Sequence, residues 1–239
     1  MSRSAPALLC ELHAHTTWSD GSLSVRELVD LHGRAGFDVL AVTDHVTLPG
    51  ATVQALHEDS YDRYLRELET EGQRALSQYG LVVVPGLELT YDDPDPRLGA
   101  HALALGVRRF IKLEQGLEPA LDEAAGAGAA LVAAHPYTVA GTEHAHRMTA
   151  RFAEEPDWAA QVVHRFELCN RHDFFEWVAR AQLPVVANGD FHRPEHLATW
   201  KTLVPVERSE EALIAYLRSR DPVALTPFCR PAGVTRRAA

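Results

Sequence analysis

Short apolar runs alternate with longer amphipathic stretches along most of the chain, and this alternation restricts the fold more than any other feature. Such a pattern builds β/α units, in which a buried strand is followed by a helix that packs back over the sheet. The apolar runs predict seven strands: Ala7 to Leu12, Asp38 to Thr43, Leu81 to Leu87, His101 to Gly106, Ala129 to Ala134, Val163 to Leu168 and Pro184 to Asn188. Helical patterns fall between them at Ser24 to Ala35, Ser60 to Gln78, Leu117 to Ala127, Met148 to Gln161 and Asp173 to Ala181, with a last one from about Ser209 to Arg218. Ser24 with Glu27 three residues later has the spacing of a capping box. The predicted architecture is an α/β barrel in one domain, residues 1–239, a length that suits a single hydrophobic core.

One connection departs from the alternation. The third and fourth strands are separated by Tyr91 to Ala100, which is short for a parallel crossover of a dozen or more residues. These two strands are therefore expected to be antiparallel, with His101 next to Glu88.

Bulk properties exclude several classes. Apolar residues make up 46% of the chain and charged residues 23%, as in a folded soluble protein. No stretch approaches the ~18 apolar residues of a membrane span, and MSRSAPALLCELHAH lacks the long apolar core of an export signal. Cys10, Cys169 and Cys229 are scattered without a CxxC, which points away from a disulfide framework or a thiolate zinc site and towards a cytoplasmic location. A net charge of -10 argues against broad binding to extended nucleic acid, which rests on basic surface.

At the ends of the predicted strands stand His13 and His15, Asp20 in the following loop, His45, Glu88, His101, His135, Asp190 and His192. In a β/α barrel the C-terminal rim gathers functional side chains whatever their separation in sequence. In HAH and DFH, residues two apart at a strand end point to one face, so each pair can chelate. Asp44 precedes His45 and must face the other way, which assigns it to orienting a ligand. Singly, each residue has a plain structural explanation: Asp20-Gly21 makes a turn, Glu88 caps one, and Asp190 is an N-cap. Nine such residues at one end of seven strands do not.

The sequence resembles the PHP (polymerase and histidinol phosphatase) superfamily, and its stand-alone phosphoesterases in particular. The resemblance rests on ELHAHTTWSDGSLSVRELVDLHGRAGFDVLAVTDH at 11–45, PGLELT at 85–90, HALALGV at 101–107, AHPY at 134–137 and NGDFHRPEHL at 188–197. It implies a distorted seven-stranded β/α barrel with up to three divalent metals at its rim. By that likeness His13, His15, Glu88 and Asp190 would hold one metal, Glu88, His101 and His135 a second, and Asp20, His45 and His192 a third. Imidazole and carboxylate without thiolate suit Mn²⁺, Zn²⁺ or Fe²⁺.

The expected activity is hydrolysis of a phosphate monoester or small nucleotide by water activated on two or three divalent ions. Arg171 and Arg193 are placed to meet the phosphate, against the plain alternatives of ion pairs with Asp173 and Glu195. Trp18 is near enough to the HxH loop to line a pocket, as are His45 to Tyr79 and Tyr137 to Arg147, whereas Trp158, Trp177 and Trp200 read as packing residues. His144 and His146 repeat the HxH spacing but fit a loop or lid better than a ligand pair. The alternatives are a phosphodiesterase or 5′-exonuclease on short nucleic acid, a histidinol-phosphate phosphatase, and a noncatalytic metal-binding domain.

Overall fold

A computed structural model describes residues 7–142 and 149–229; His144 and His146 lie outside the described residues. The elements in chain order begin with β1 (Leu8–Glu11), α1 (Val25–Ala35), β2 (Val39–Val42), β3 (His45–Thr47), α2 (Glu58–Tyr79), β4 (Val82–Tyr91) and β5 (Ala100–Leu105). There follow α3 (Leu117–Gly126), β6 (Ala130–Ala134), α4 (Val139–Thr142), α5 (Arg151–Glu154), α6 (Pro156–Val162), β7 (Arg165–Asn170) and β8 (Asp173–Phe174). The chain continues through α7 (Glu176–Arg180), β9 (Val185–Asn188), a 3₁₀ turn (Pro194–Leu197), β10 (Trp200–Val204), α8 (Glu210–Ser219) and β11 (Ala224–Pro227).

Local chemistry sets these boundaries. The Ser24 hydroxyl accepts from the Glu27 amide while the Glu27 carboxylate accepts from the Ser24 amide, so α1 opens on a reciprocal cap. It closes on Gly36 at φ 84°, a left-handed conformation that costs glycine little. The helix expected over Met148 to Gln161 is divided into α5 and α6, because Pro156 has no amide hydrogen to continue a helix and stands instead in a first turn. The helix expected from Asp173 is corrected likewise: Asp173 and Phe174 pair with β7 as a short strand, and helix begins at Glu176.

The strands form one curled sheet in the order β11-β10-β1-β2-β4-β5-β6-β7-β8, with β3 on β4 and β9 on β7. The expected seven strands are β1, β2, β4, β5, β6, β7 and β9, and the count of seven is corrected to eleven among the described residues. The additions are β3, β8, β10 and β11, three of them at or beyond the ends of the parallel arrangement. β4 and β5 are antiparallel, with Thr90 opposite His101 and Glu88 opposite Leu103. The curl brings β9 back to the start of the chain. The amide of Phe191 donates to His13 O at 2.9 Å, that of His15 donates to Phe191 O at 2.8 Å, and Ala14 and Phe191 form a parallel bridge.

Two apolar cores result. One lies between the sheet and helices α1 to α3 and includes Val29, Leu40, Leu87, Leu89 and Leu121. The other gathers the opposite strand face, including Val84, Leu103, Leu105, Val132 and Val186, with Leu213 and Leu217 of α8 packed onto it. Glu88, His101 and Asn188 lie an even number of residues from members of this second core. They therefore continue the same inward face toward the rim, where its chemistry changes from apolar to polar. Trp18 is half-buried, and Trp200 departs from its expected packing role. Trp18 stacks under Arg63, packs edge-on against Tyr64 and donates to Glu67, so it belongs to the contact with α2. Trp200, at the start of β10, is exposed rather than packed.

Candidate metal centre

The inward face at the rim assembles the expected residues from distant parts of the chain. His13 and His15 follow β1, His45 opens β3, Glu88 lies within β4, and His101 stands in β5; His135 follows β6, and Asp190 and His192 follow β9. Two of the turns concerned are held at positive φ, His135 at 28° and Asp190 at 43°. Non-glycine residues occupy that region only when the surrounding structure holds them there.

Glu88 is the centre of the arrangement. Its Oε2 lies 3.1 Å from His13 Nε2, 3.2 Å from His15 Nε2 and 3.1 Å from His45 Nδ1. Its Oε1 lies 3.1 Å from His101 Nδ1 and 3.0 Å from His135 Nε2. The carboxylate thus presents one oxygen to each of two sets of imidazoles. Asp190 Oδ1 stands 3.5 Å from both His13 Nε2 and His15 Nε2, and 3.2 Å from His192 Nδ1. Asp20 Oδ1 faces His45 Nε2 at 3.4 Å and His192 Nε2 at 3.1 Å.

Four groups of donor atoms lie within 4.8 Å of one another: His15-Asp20-His45-His192, His13-His15-Glu88, His13-His135-Asp190 and Glu88-His101-His135. All nine expected residues fall in these groups, and Asp44, Arg171 and Arg193 fall outside them. His15 also stands with the Asp20 group, from which the family likeness separates it. The donor set fits divalent ions. Among the described residues the buried His135 Nδ1 has no hydrogen-bond partner and the buried His15 Nε2 faces Glu88 and Asp190 without hydrogen-bond geometry, and imidazole with carboxylate is the donor chemistry of Mn²⁺, Zn²⁺ or Fe²⁺.

Burial works against charge at His13, His45, Glu88, His101, Asp190 and His192, and the close packing of opposite signs outweighs it at all of these but His45. His13 is raised well above its ordinary range, despite burial, by Asp190, Glu88 and Glu167. Burial also opposes charge on His101 and His192, yet hydrogen bonds to Asp92 and Glu88 push His101 up to about 9, and those to Asp190 and Asp20 push His192 up to about 10. Glu88 and Asp190, against the cost of burial, are held well below the usual carboxylate range by the imidazoles around them. His45 goes the other way, pushed down chiefly by burial.

Asp44 is buried and turned from the donors, as its position next to His45 requires. Its Oδ1 accepts from the Thr16 amide at 2.8 Å and from Ser19 Oγ at 2.5 Å, and its Oδ2 from Thr16 Oγ1 at 2.8 Å. It fixes the loop that carries His15 and Asp20. Arg171 is partnered by Asp190 rather than by Asp173, the plain alternative for it. At φ 51° its chain turns back toward the end of β9, where the guanidinium meets Asp190 Oδ2 at 3.0 Å and donates to Asp190 O at 3.1 Å. Arg193 is exposed, makes no ion pair with Glu195 among the described residues, and lines a cavity of about 410 Å³ with Asp20, Ser22, Arg171 and His192. The segment after His45 shapes a separate cavity of about 430 Å³ with Phe110 and Leu113.

Sequence reasoning missed the partners behind the donors. Thr90 Oγ1 lies 2.7 Å from His45 Nδ1, and Asp92 Oδ1 lies 2.9 Å from His101 Nε2. Glu167 Oε1 lies 2.9 Å from His13 Nδ1. A signal existed for Glu167, the one carboxylate in the strand RFELCN, because a charged residue is seldom fully buried unless paired.

The fold and the donor set define a class: a curled-sheet α/β protein with a candidate divalent-metal centre at its rim. The PHP domain family model matches residues 11–187, and the chain belongs to that family. It is 32% identical over 87 residues to the DNA polymerase/3′-5′ exonuclease PolX of Bacillus subtilis (strain 168), a match covering 35% of this chain and 15% of PolX. Its structure is similar to that of a two-domain protein from Bacteroides vulgatus ATCC 8482 that contains a predicted PHP-like metal-dependent phosphoesterase. The TM-score is 0.68 at 21% identity, over 93% of this chain and 65% of that one. An amidohydrolase from Chromobacterium violaceum, with bound sulfate, gives a TM-score of 0.55 at 16% identity, over 91% and 97% of the two chains. This chain spans less than two thirds of the first two relatives, and at these identities the two structures bear on the fold alone.

Proposed function

We propose that this chain is a metal-dependent phosphoesterase that hydrolyses a phosphate monoester or small nucleotide at a cluster of two or three divalent ions. The observation that carries this reading is Glu88, whose two oxygens face two separate sets of imidazoles at 3.0 to 3.2 Å, in one donor cluster with Asp20 and His192, which line a cavity together with two arginines. His13, His15, Glu88 and Asp190 would hold one ion, Glu88, His101 and His135 a second, and Asp20, His45 and His192 a third. Divalent ions held by these residues would supply Lewis acidity, which lowers the pKa of water toward roughly 7 and offsets charge on phosphoryl oxygens.

The chain's own residues do the rest. Arg193 contributes a free guanidinium to the substrate phosphate, which Arg matches in geometry as well as charge. Arg171 holds Asp190 in place and faces the same cavity. Asp44 keeps the His15 loop fixed, so that donors from separate strands are held in one geometry.

The test is metal content of the purified protein by mass spectrometry, paired with phosphate release from a panel of nucleotides and sugar phosphates with and without Mn²⁺. The expected result is two to three ions per chain and metal-dependent release. No metal and no release after Mn²⁺ addition would reject the reading. The stretch shared with PolX favours a second reading, cleavage of short nucleic acid. Salt dependence separates the two: contacts to several phosphates make affinity fall steeply with ionic strength, and a single phosphate makes it fall weakly.

A further inference from the structure

The strand β7 carries a buried carboxylate that is not among the donor groups. Glu167 is fully buried, and four hydrogen bonds converge on it, two to each oxygen. Oε1 meets His13 Nδ1 at 2.9 Å and accepts from Asn188 Nδ2 at 2.9 Å. Oε2 accepts from the His135 amide at 2.7 Å and from Asn170 Nδ2 at 2.6 Å. The register of β7 against β9 shifts between Glu167 and Cys169, and this irregularity lets Asn170, three residues on, reach the same carboxylate.

An ionised carboxylate only accepts hydrogen bonds, so the imidazole nitrogen that meets it must carry the proton. Nδ1 of His13 is thereby the nitrogen that keeps its proton, and Nε2, directed at Glu88 and Asp190, is the one that would give its proton up to an ion. The other oxygen ties down the backbone of His135, which sits at φ 28° and presents Nε2 to Glu88. We propose that Glu167 is the positioning residue of the metal centre, setting the tautomer of His13 and the backbone of His135 so that both imidazoles meet the Glu88 carboxylate. This inference rests on the metal-centre reading and adds a residue that holds no ion itself. It also separates the site into parts: Asp20, His45 and His192 have no contact with Glu167 among the hydrogen bonds that define it.

Glu167→Gln tests it with little change in shape. An amide places its NH₂ where one oxygen stood, facing two donors instead of accepting from them. The expected result is Mn²⁺ binding about tenfold to hundredfold weaker, the scale on which partners behind metal ligands act, in a protein whose circular dichroism is unchanged. Glu167→Asp keeps the charge but is one methylene short of spanning both partners, and is expected to fall between the two. Should either variant not fold, zinc-loaded wild-type protein supplies the readout: histidine ¹⁵N shifts are expected to show His13 protonated at Nδ1 and bound through Nε2. Folded variants that bind Mn²⁺ as tightly as wild type, or His13 bound through Nδ1, would overturn the role of Glu167 and leave the metal centre standing. Wild-type protein that binds neither ion would instead overturn the metal centre itself.

Discussion

The two ends of the donor cluster are built differently. At one end Glu88 is 1% exposed, faces five imidazoles and backs onto His13, whose far nitrogen is held by the buried Glu167. At the other end the Asp20 side chain is 37% exposed, and with His192 it opens onto the cavity lined by Arg171 and Arg193. A buried, fully partnered carboxylate holds its geometry without substrate, because breaking any one contact leaves a charge unpaired in a medium that penalises it. An open carboxylate exchanges partners with water at little cost. On the proposed reading the closed end would retain ions and the open end would admit a phosphate.

Glu88→Ala breaks the closed end and should have the largest effect. On the proposed reading two ion positions would share this carboxylate, and the loss of Lewis acidity worth several kcal/mol predicts about a 1,000-fold or greater fall in metal-dependent phosphate release, measured at saturating Mn²⁺. Asp20→Ala breaks the open end and should do less: one ion lost, the Glu88 groups retained, and release lowered by about 100-fold in the same assay. Arg193→Ala leaves the ions in place and removes one charge-assisted contact, for an expected fall in kcat/KM of about 10- to 100-fold with unchanged metal content. Unchanged kinetics would take Arg193 out of the substrate site.

The smallest effect is on protons, and it sharpens the comparison because both ends contribute. In the metal-free protein His101 is raised to about 9 and His192 to about 10. A histidine raised by folding contributes stability that is fully present below its unfolded value near 6.5 and is lost as pH climbs through the folded value. Metal-free protein should therefore lose stability between about pH 6.5 and 10, as followed by thermal unfolding. Metal binding must displace these protons, so calorimetry at pH 7.5 in buffers of different ionisation enthalpy should show proton release, with affinity rising with pH.

Much of this arrangement was legible in the sequence. The seven main strands announce themselves as apolar runs, and the short Tyr91 to Ala100 connection leads to the antiparallel pair that brings His101 against Glu88. The further strands gave weaker signals. β8 has two residues and β3 three, too few to show a period, and β10 begins with the exposed Trp200, which in sequence looks like a core residue. The partners of the donors were hidden for another reason. The hydrogen bonds of Glu167 reach His135 and Asn188, at the ends of the strands paired with its own, and His13, which only the curl of the sheet brings to it. Arg171 pairs with Asp190 rather than the nearby Asp173 because of a left-handed turn at one residue, which no pattern of residue types reveals.

The central claim is that one carboxylate holds two ions, and the most direct test counts ions per chain in wild type and Glu88→Ala, purified and reconstituted with Mn²⁺ in parallel. The account predicts two to three ions in the wild type and no more than one in the variant, held by Asp20, His45 and His192. Equal counts in the two proteins, or none in the wild type, would contradict it.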